Sequence, residues 1–428
     1  MQRFIFLSTI VYLLLLAGLV TLRGELIALA IPFLLYLLYG FYNAPEIPLL
    51  KIERRLSSEK AAPGSDILIR IIIENNGSDI EELYLEDQLS PNLSIRIGSS
   101  RHLIRLPRNS TQTVSYTLAG PRGAYTFESV SIEARDMLGL IGHKVSVLAQ
   151  GQLFVFPDVR RLKSISIRPR KTRVYAGQIP ARAGGTGTEF FGVREYQPGD
   201  SPRSVNWHVT ARHAEALFAN EFQQERVADV GIVLDARERA NLFHETHSIF
   251  EHSVTAAAAI ADAFISQGNR VGLLIYGSYL SWTLPGYGKI QREKILRSLA
   301  RAVPGVSSVF EGLEHLSSRM FPPESQIVLV SSLVHDDLNI VVQLRARGYQ
   351  VLVVSPDPIK FESSLLPPSK DVELASRIIR MERDLLIKRL KRAGVQVIEW
   401  DVSKPFDQAV GPALMRPHSQ SIAYRRMS

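Results

Sequence analysis

The chain has 428 residues, 46% hydrophobic and 21% charged, with a formal net charge of +8 and no cysteine. Such a length exceeds one ordinary core and points to two or three domains. The lack of cysteine excludes a disulfide framework, thiolate catalysis and cysteine-ligated zinc or iron–sulfur sites, although it does not choose a compartment.

Residues 4–22 are almost wholly apolar, interrupted only by Ser8, Thr9, Gly18 and Thr21. At helical rise this run covers roughly 28 Å, enough to cross a hydrocarbon core. Arg23-Gly24-Glu25 forms a turn, and residues 26–42 make a second apolar run. Pro32 is tolerable there, because neighbouring groups can re-satisfy the freed carbonyl. The pair predicts a transmembrane helical hairpin over 1–45. A cleaved signal peptide fits less well: the first run is long, no small-residue cleavage site closes it, and a second span follows at once. Arg3, Lys51, Arg54 and Arg55 outnumber Arg23 in the turn, so the positive-inside rule places the bulk of the chain in the cytoplasm, on a multi-pass anchor in the cell membrane. Membrane lipid is therefore one expected partner.

Over 46–157 the periodicity changes to two. Ile67, Ile69, Ile71 and Ile73 alternate with Leu68, Arg70, Ile72 and Glu74, giving one wholly apolar face. Asn75-Asn76-Gly77-Ser78 supplies a turn. Further strands are predicted at 93–97, 102–106, 113–118, 125–134 and 144–148. Turn signals at near-regular spacing suggest an immunoglobulin-like β-sandwich, a spacer or docking surface on which no residues converge into a site.

A connector follows over 158–228. Arg160, Arg161, Lys163, Arg168, Arg170, Lys171 and Arg173 form a basic run with no acid among them. It reads as a solvated linker, or as a contact to anionic headgroups at about 1 kcal/mol per charge, or to an acidic partner. Nucleic acid is not expected, since no base-stacking aromatics interleave the charges.

The densest stretch is Gly184-Gly185-Thr186-Gly187-Thr188-Glu189-Phe190-Phe191-Gly192-Val193-Arg194-Glu195-Tyr196-Gln197-Pro198-Gly199-Asp200, running through Arg203 and Trp207 to Ala211-Arg212. Its glycines do not make a phosphate loop, because no lysine–serine or lysine–threonine pair follows at the required spacing. Pro198-Gly199-Asp200 predicts a turn, with Asp200 capping a short helix through Arg212 and Pro202 in its first turn. Arg194, Glu195, Asp200, Arg203 and Arg212 are numerous enough for a paired charge network around Tyr196 and Trp207. That network either locks the segment onto the next domain or faces a partner.

This stretch resembles the signature of the family catalogued as domain of unknown function 58. Arg122-Gly123-Ala124-Tyr125 and Asp136-Met137-Leu138-Gly139-Leu140 resemble turns of the same family. The resemblance implies a membrane-anchored protein with a von Willebrand factor type A-like domain after the signature. It also implies work beside a MoxR-type AAA+ ATPase in the assembly or maturation of protein complexes.

From 229 to 428, strands and helices alternate. Strands are predicted at 229–235, 270–276, 326–331, 350–355 and 395–401, and helices at 248–266, 289–302, 309–320, 337–347 and 372–393. Such alternation argues a doubly wound, mostly parallel α/β sheet, which looks like a von Willebrand factor type A domain. The resemblance implies a divalent cation there. Its ligands would be an aspartate ending the first strand, hydroxyls two and four residues later, a threonine from a second loop and an aspartate after the fourth strand. Asp235 matches, but Arg237 and Arg239 stand where the hydroxyls should be. No threonine lies near 309–313, and Ser331-Ser332-Leu333 lacks the second aspartate. The expectation is no metal and no cofactor, with a guanidinium paired to Asp235 and a positive cleft left for gripping proteins. Glu238 and Glu311 would be the substitute ligands if a cation were held.

No Gly-x-Ser-x-Gly elbow occurs, and His244, Glu245 and His247 do not have the spacing of a zinc-peptidase helix. The favoured expectation is an interaction or scaffold protein without catalytic residues. The alternative is a metal-assisted hydrolase using Glu189, Glu195, His208 and His213.

Overall fold

In the computed structural model the two apolar runs become helices α1 (Gln2–Thr21) and α2 (Gly24–Tyr42). The structure describes residues 2–42, 47–135, 142–162, 173–213, 216–244, 247–277, 279–307, 321–322 and 325–415. Several sequence features therefore lie outside the described residues: the turn at 136–140, Lys163, Arg168, Arg170 and Lys171, Glu245, the helix expected at 309–320, and Glu311. The chain divides into two compact units, Met1–Phe156 and Pro157–Ser428.

In the first unit, α1 and α2 are each long and apolar enough to cross a membrane. The serine and threonine hydroxyls of α1 are satisfied inside the helix: Ser8 Oγ donates to Phe4 O at 2.7 Å, Thr9 Oγ1 to Ile5 O at 2.7 Å and Thr21 Oγ1 to Ala17 O at 2.6 Å. Those hydroxyls then need no partner from the lipid. The helices approach closely at Gly18, where an added Cβ would meet Ile27 Cγ1 at 2.7 Å.

Nine strands follow: β1 (Leu50–Leu56), β2 (Lys60–Ala61), β3 (Ile67–Asn75), β4 (Ile80–Asp87), β5 (Ser94–Ile97), β6 (Arg101–Leu106), β7 (Thr111–Ala119), β8 (Gly123–Arg135) and β9 (Gly142–Val155). They form two sheets, β1-β3-β7-β5 and β2-β9-β8-β4-β6, antiparallel except at β2–β9. Alternation turns Ile69, Ile71 and Ile73 fully inward, into one core with Leu83, Leu85, Val130, Ile132 and Leu153 of the other sheet. Asn75 ends β3 in the expected turn, its Oδ1 accepting from Gly77 N at 2.9 Å.

The same alternation, counted from Ile52, points Arg54 inward. Arg54 is buried. Its guanidinium pairs with Asp87, donates to the Ala149 and Ser129 carbonyls, and lies 4.9 Å from the Phe127 ring centroid. Tyr116 donates to the same carboxylate at 2.6 Å. Arg54, counted in the sequence as a membrane-flanking charge, is thus spent inside the protein.

The second unit begins with β10 (Arg173–Glu195), which pairs antiparallel with β11 (Phe218–Val227) in a hairpin of irregular register. The signature begins within β10 and runs on into the excursion between the two strands, which also holds one short helix, α3 (Trp207–Thr210). After it come β12 (Asp229–Asp235), a small hairpin β13 (Phe243–His244) and β14 (His247–Ser248), α4 (Ile249–Ser266), β15 (Arg270–Tyr276), β16 (Leu280–Gly286) and α5 (Gly288–Arg301). They are followed by β17 (Gln326–Val330), α6 (Asp337–Ala346), β18 (Gln350–Pro356), α7 (Pro358–Leu365), α8 (Lys370–Arg392), β19 (Gln396–Trp400) and α9 (Phe406–Met415).

The sheet order is β16-β15-β12-β17-β18-β19, parallel throughout except for β16. All seven residues of β12 are buried, as a central strand covered on both faces requires. Helix α4 is also long and apolar enough to cross a membrane, but most of its residues are buried against this unit, which makes it a core helix. The strand order reverses at β12, with β15 on one side and β17 on the other. In open α/β sheets a ligand crevice lies beyond the carboxyl ends of the strands at such a switch point.

Candidate functional site

Asp235 closes β12 at that crevice and is 1% exposed. Two residues on, the chain folds back so that Arg237 reaches the same carboxylate. Arg237 Nε donates to Asp235 Oδ1 at 2.8 Å and Nη2 to Oδ2 at 2.7 Å. The other edge of the guanidinium meets Asp337, in the first turn of α6, with Nη1 to Oδ1 at 2.9 Å and Nη2 to Oδ2 at 2.8 Å. Ser331 Oγ, just past β17, donates to Asp235 Oδ2 at 2.6 Å, and the Val334 amide donates to Asp337 Oδ2 at 2.8 Å. Asn241 Nδ2 ties down the return loop through the carbonyls of Asp235 and Arg237, both at 2.9 Å. Burial pulls the Arg237 pKa down, but the bonds to Asp235 and Asp337 outweigh it, and the group ends above its ordinary value.

These residues do not fit a divalent cation. Both Asp235 oxygens accept from Arg237, one also from Ser331, and the guanidinium fills the space between the two carboxylates. The aspartate not found in the sequence beside Ser331 is supplied by Asp337. Helix α6 presents it from its N-terminus, where a carboxylate is favoured. Arg237 is 2% exposed, so the corner is a sealed ion cluster and not the positive cleft expected from the sequence. Arg239 stays near the surface, 3.6 Å from Asp336. Glu238 begins a single 3-10 turn.

Beside the corner is a cavity of about 290 Å3 lined by Arg239, Leu242, Ser332, Ile359, Glu362 and Ile379, among others. Its lining includes a residue with left-handed backbone, and a buried arginine stands behind it. Leu333 adopts a left-handed φ of 62°, and its amide donates to Ser331 Oγ at 3.0 Å. Arg383 of α8 is buried behind it. That side chain donates to Ser332 O at 2.6 Å and Ser355 Oγ at 2.7 Å, and burial lowers its pKa.

The signature residues divide into a brace and a displayed set. Arg194 grips Asp200 with two bonds of 2.8 Å, and the Gln197 amide donates to the same carboxylate at 2.9 Å. Tyr196 Oη donates to Asp200 O at 2.6 Å, closing a turn in which Gly199 takes φ 107°. Hydrogen bonding to Arg194 lowers the Asp200 pKa, and the same contact raises that of Arg194.

Asp200 braces this turn and does not cap a helix through Arg212. Ser201 caps a 3-10 turn at Pro202–Ser204, and Asn206 caps the four-residue α3, its Oδ1 accepting from Val209 N at 3.0 Å. The backbone turns extended at Val205, with φ −60° and ψ 125°, and this separates the 3-10 turn from α3. Glu195, Arg203, Trp207 and Arg212 face solvent, Trp207 at 69% exposure.

His208 Nε2 lies 3.1 Å from Arg212 Nη2, and the His213 ring packs at 5.3 Å from that of Phe218. Among the described residues, no three His, Asp or Glu side chains gather as a metal-holding group.

Comparison with known proteins places these features in a family context. The model described as "Protein of unknown function DUF58" matches residues 192–376, from within the signature to the first third of α8. The uncharacterized protein YeaD of Bacillus subtilis is 25% identical over 67% of this chain and 66% of its own length. The uncharacterized protein Rv1480 of Mycobacterium tuberculosis is 29% identical over 47% of this chain and 62% of its own. The matches thus span just under two thirds of either relative, and together they support the DUF58 family. Among solved structures, a FixG-related protein from Vibrio parahaemolyticus covers 26% of this chain and 98% of its own at 7% identity and a TM-score of 0.19. A CARDB domain from Pyrococcus furiosus covers 26% and 91% at 12% identity and a TM-score of 0.18. At those scores neither likeness establishes a fold.

Proposed function

We propose that this chain is a membrane-anchored interaction or scaffold protein. Its partner would be a MoxR-type AAA+ ATPase, as the family resemblance implies, acting in the assembly or maturation of protein complexes. One observation carries the reading: the Arg237 guanidinium lies buried between Asp235 and Asp337 at the crevice where an open α/β sheet would take a cation or small ligand. With that crevice sealed, the chemistry left on display is a surface.

The Arg194–Asp200 brace holds up exposed Trp207, Arg203 and Arg212, and tryptophan and arginine are the residue types that anchor protein interfaces. We read the sheet order of the second unit as von Willebrand factor type A-like and the two-sheet unit as immunoglobulin-like. The soluble units would lie in the cytoplasm, a placement now resting on Arg3, Lys51 and Arg55 against Arg23, without Arg54.

The test is co-purification of the full chain from its own membranes in mild detergent. The native chain should retain an AAA+ ATPase, and the double variant Trp207→Ala, Arg212→Ala should lose it. Equal retention by both would remove the surface from the account, and failure of the native chain to recover any ATPase would remove the partner.

A further inference from the structure

Helix α8 is apolar on two opposite sides. Arg383, Leu386, Ile387 and Leu390 face the interior. On the other side Leu374, Ile378, Met381 and Leu385 are 60%, 54%, 69% and 56% exposed. Their spacing of four, three and four residues places them within an arc of about 60° at helical periodicity. That is the stripe of a coiled-coil seam, with Ile378 and Leu385 at a positions and Leu374 and Met381 at d. Ile378 at a with Leu374 at d is the combination that favours two parallel strands, and Leu385 at a with Met381 at d does not share it.

The charges beside the seam specify the occupant. Arg377 and Asp384 flank one edge, at g positions, and Glu382 and Arg389 flank the other, at e. All four are exposed, and none makes an ion pair among the described residues. In a parallel, in-register pair each g residue faces the e residue five positions on in the other helix. Arg377 of one copy then meets Glu382 of the other, and Asp384 meets Arg389. By symmetry each contact occurs twice, so this helix is complementary to itself. An antiparallel pairing would use Arg377 with Asp384 and leave Glu382 and Arg389 without opposite charges. Asp371, Lys388 and Arg392 occupy the next core positions and confine the seam to one short segment.

We infer that α8 is a self-association surface, joining two copies of this chain through a short parallel coiled coil. The apolar segment spans about 17 Å, too short for a tight complex in dilute solution. Two copies held in one membrane meet at a much higher effective concentration, so pairing should depend on how densely the membrane is populated.

The chain has no cysteine, so a single introduced thiol reports on itself. In the full-length protein reconstituted into phospholipid vesicles, Ile378→Cys should cross-link on mild oxidation, as should Leu374→Cys and Leu385→Cys, each with its own kind. Ser363→Cys, an exposed position on α7, should not. Adding Glu382→Lys to Ile378→Cys should lower the cross-link yield severalfold, and Arg377→Glu on top should restore it. The proposal falls if Ile378→Cys stays uncross-linked while its thermal unfolding matches that of the native chain. It falls equally if cross-links form only between Leu374→Cys and Leu385→Cys chains, or if the charge exchange fails to restore the yield.

Discussion

Arg54 and Arg237 are both buried, at 6% and 2% exposure, and each is bonded to aspartate, yet they do different work. Arg54 lies in mid-strand. It meets one carboxylate, two main-chain carbonyls and an aromatic face, so the Arg54–Asp87 cluster is formally neutral and seals the interior of a two-sheet core. Arg237 lies just past a strand end and joins two carboxylates, one closing β12 and one opening α6, leaving a formal excess of one negative charge at the crevice. The same pair of residue types closes a core in one unit and a site in the other. Position relative to the strand end makes the difference, because only beyond the strand ends do several loops converge.

Removing the cation is the sharpest way to break this comparison. Arg237→Ala would leave Asp235 and Asp337 side by side, buried and unpaired, together with Ser331 Oγ. Stripping one partner from a buried ion pair costs about 3–5 kcal/mol, and with two stranded carboxylates the upper end is expected. That arrangement is also a cluster of hard oxygen ligands, so millimolar magnesium or manganese should recover part of the loss. Thermal unfolding of the detergent-solubilised chain with and without the ions reads both effects. The native chain should show no saturable uptake by calorimetry. Tight uptake by the native chain, abolished by Asp235→Asn, would defeat the sealed-corner account.

Arg54→Ala is the matched control, expected to lose stability near the lower end of the same range of about 3–5 kcal/mol, since a single carboxylate is stranded and Tyr116 still donates to it. Divalent ions should give no recovery there. If both variants respond alike to magnesium, the distinction between core and site disappears.

The difference also explains what could be read in the sequence. Period-two alternation at Ile67, Ile69, Ile71 and Ile73 and the buried run Asp229–Asp235 announce their strands, because each pattern is set by a single element. Arg237 is legible for the same reason, standing two residues from Asp235. Asp337 is not, since its contact spans 100 residues and depends on where α6 begins. The acidic pair Asp336-Asp337 opening a predicted helix straight after a buried strand was the available signal. Arg54 was misread because a charge beside a membrane span looks like an anchor until its place in the alternation is counted. The hairpin β10–β11 went unseen beneath glycines and Pro180, which favour no strand on their own. Edge strand β16 carries Pro285, and helix α7 is short and begins at a proline. Such elements are held by neighbours that local periodicity does not record.

The smallest expected effect concerns acid. Arginine keeps its charge across the working pH range, so the cation of either buried cluster does not titrate there. His252 of α4 is different. Its ring packs edge-on at 5.8 Å from Trp400 and 6.2 Å from Phe361, and burial holds its pKa below the ordinary histidine value, against an opposing push from Glu251. The unfolded chain then binds this proton more readily than the folded one. The contribution is present in full above the ordinary value near 6.5 and is lost as pH falls from there towards the folded pKa. In the sandwich, Tyr116 runs the other way. Burial and Asp87 raise its pKa, so its contribution is kept below the ordinary tyrosine value of about 10 and lost only in alkali. All three tryptophans, Trp207, Trp282 and Trp400, belong to the second unit, so their fluorescence reports its unfolding alone. The unfolding midpoint read this way should drop between pH 7 and pH 5 in the native chain, by less than Arg237→Ala causes. In His252→Gln the slope should flatten, and an unchanged slope would assign the acid sensitivity of this unit elsewhere.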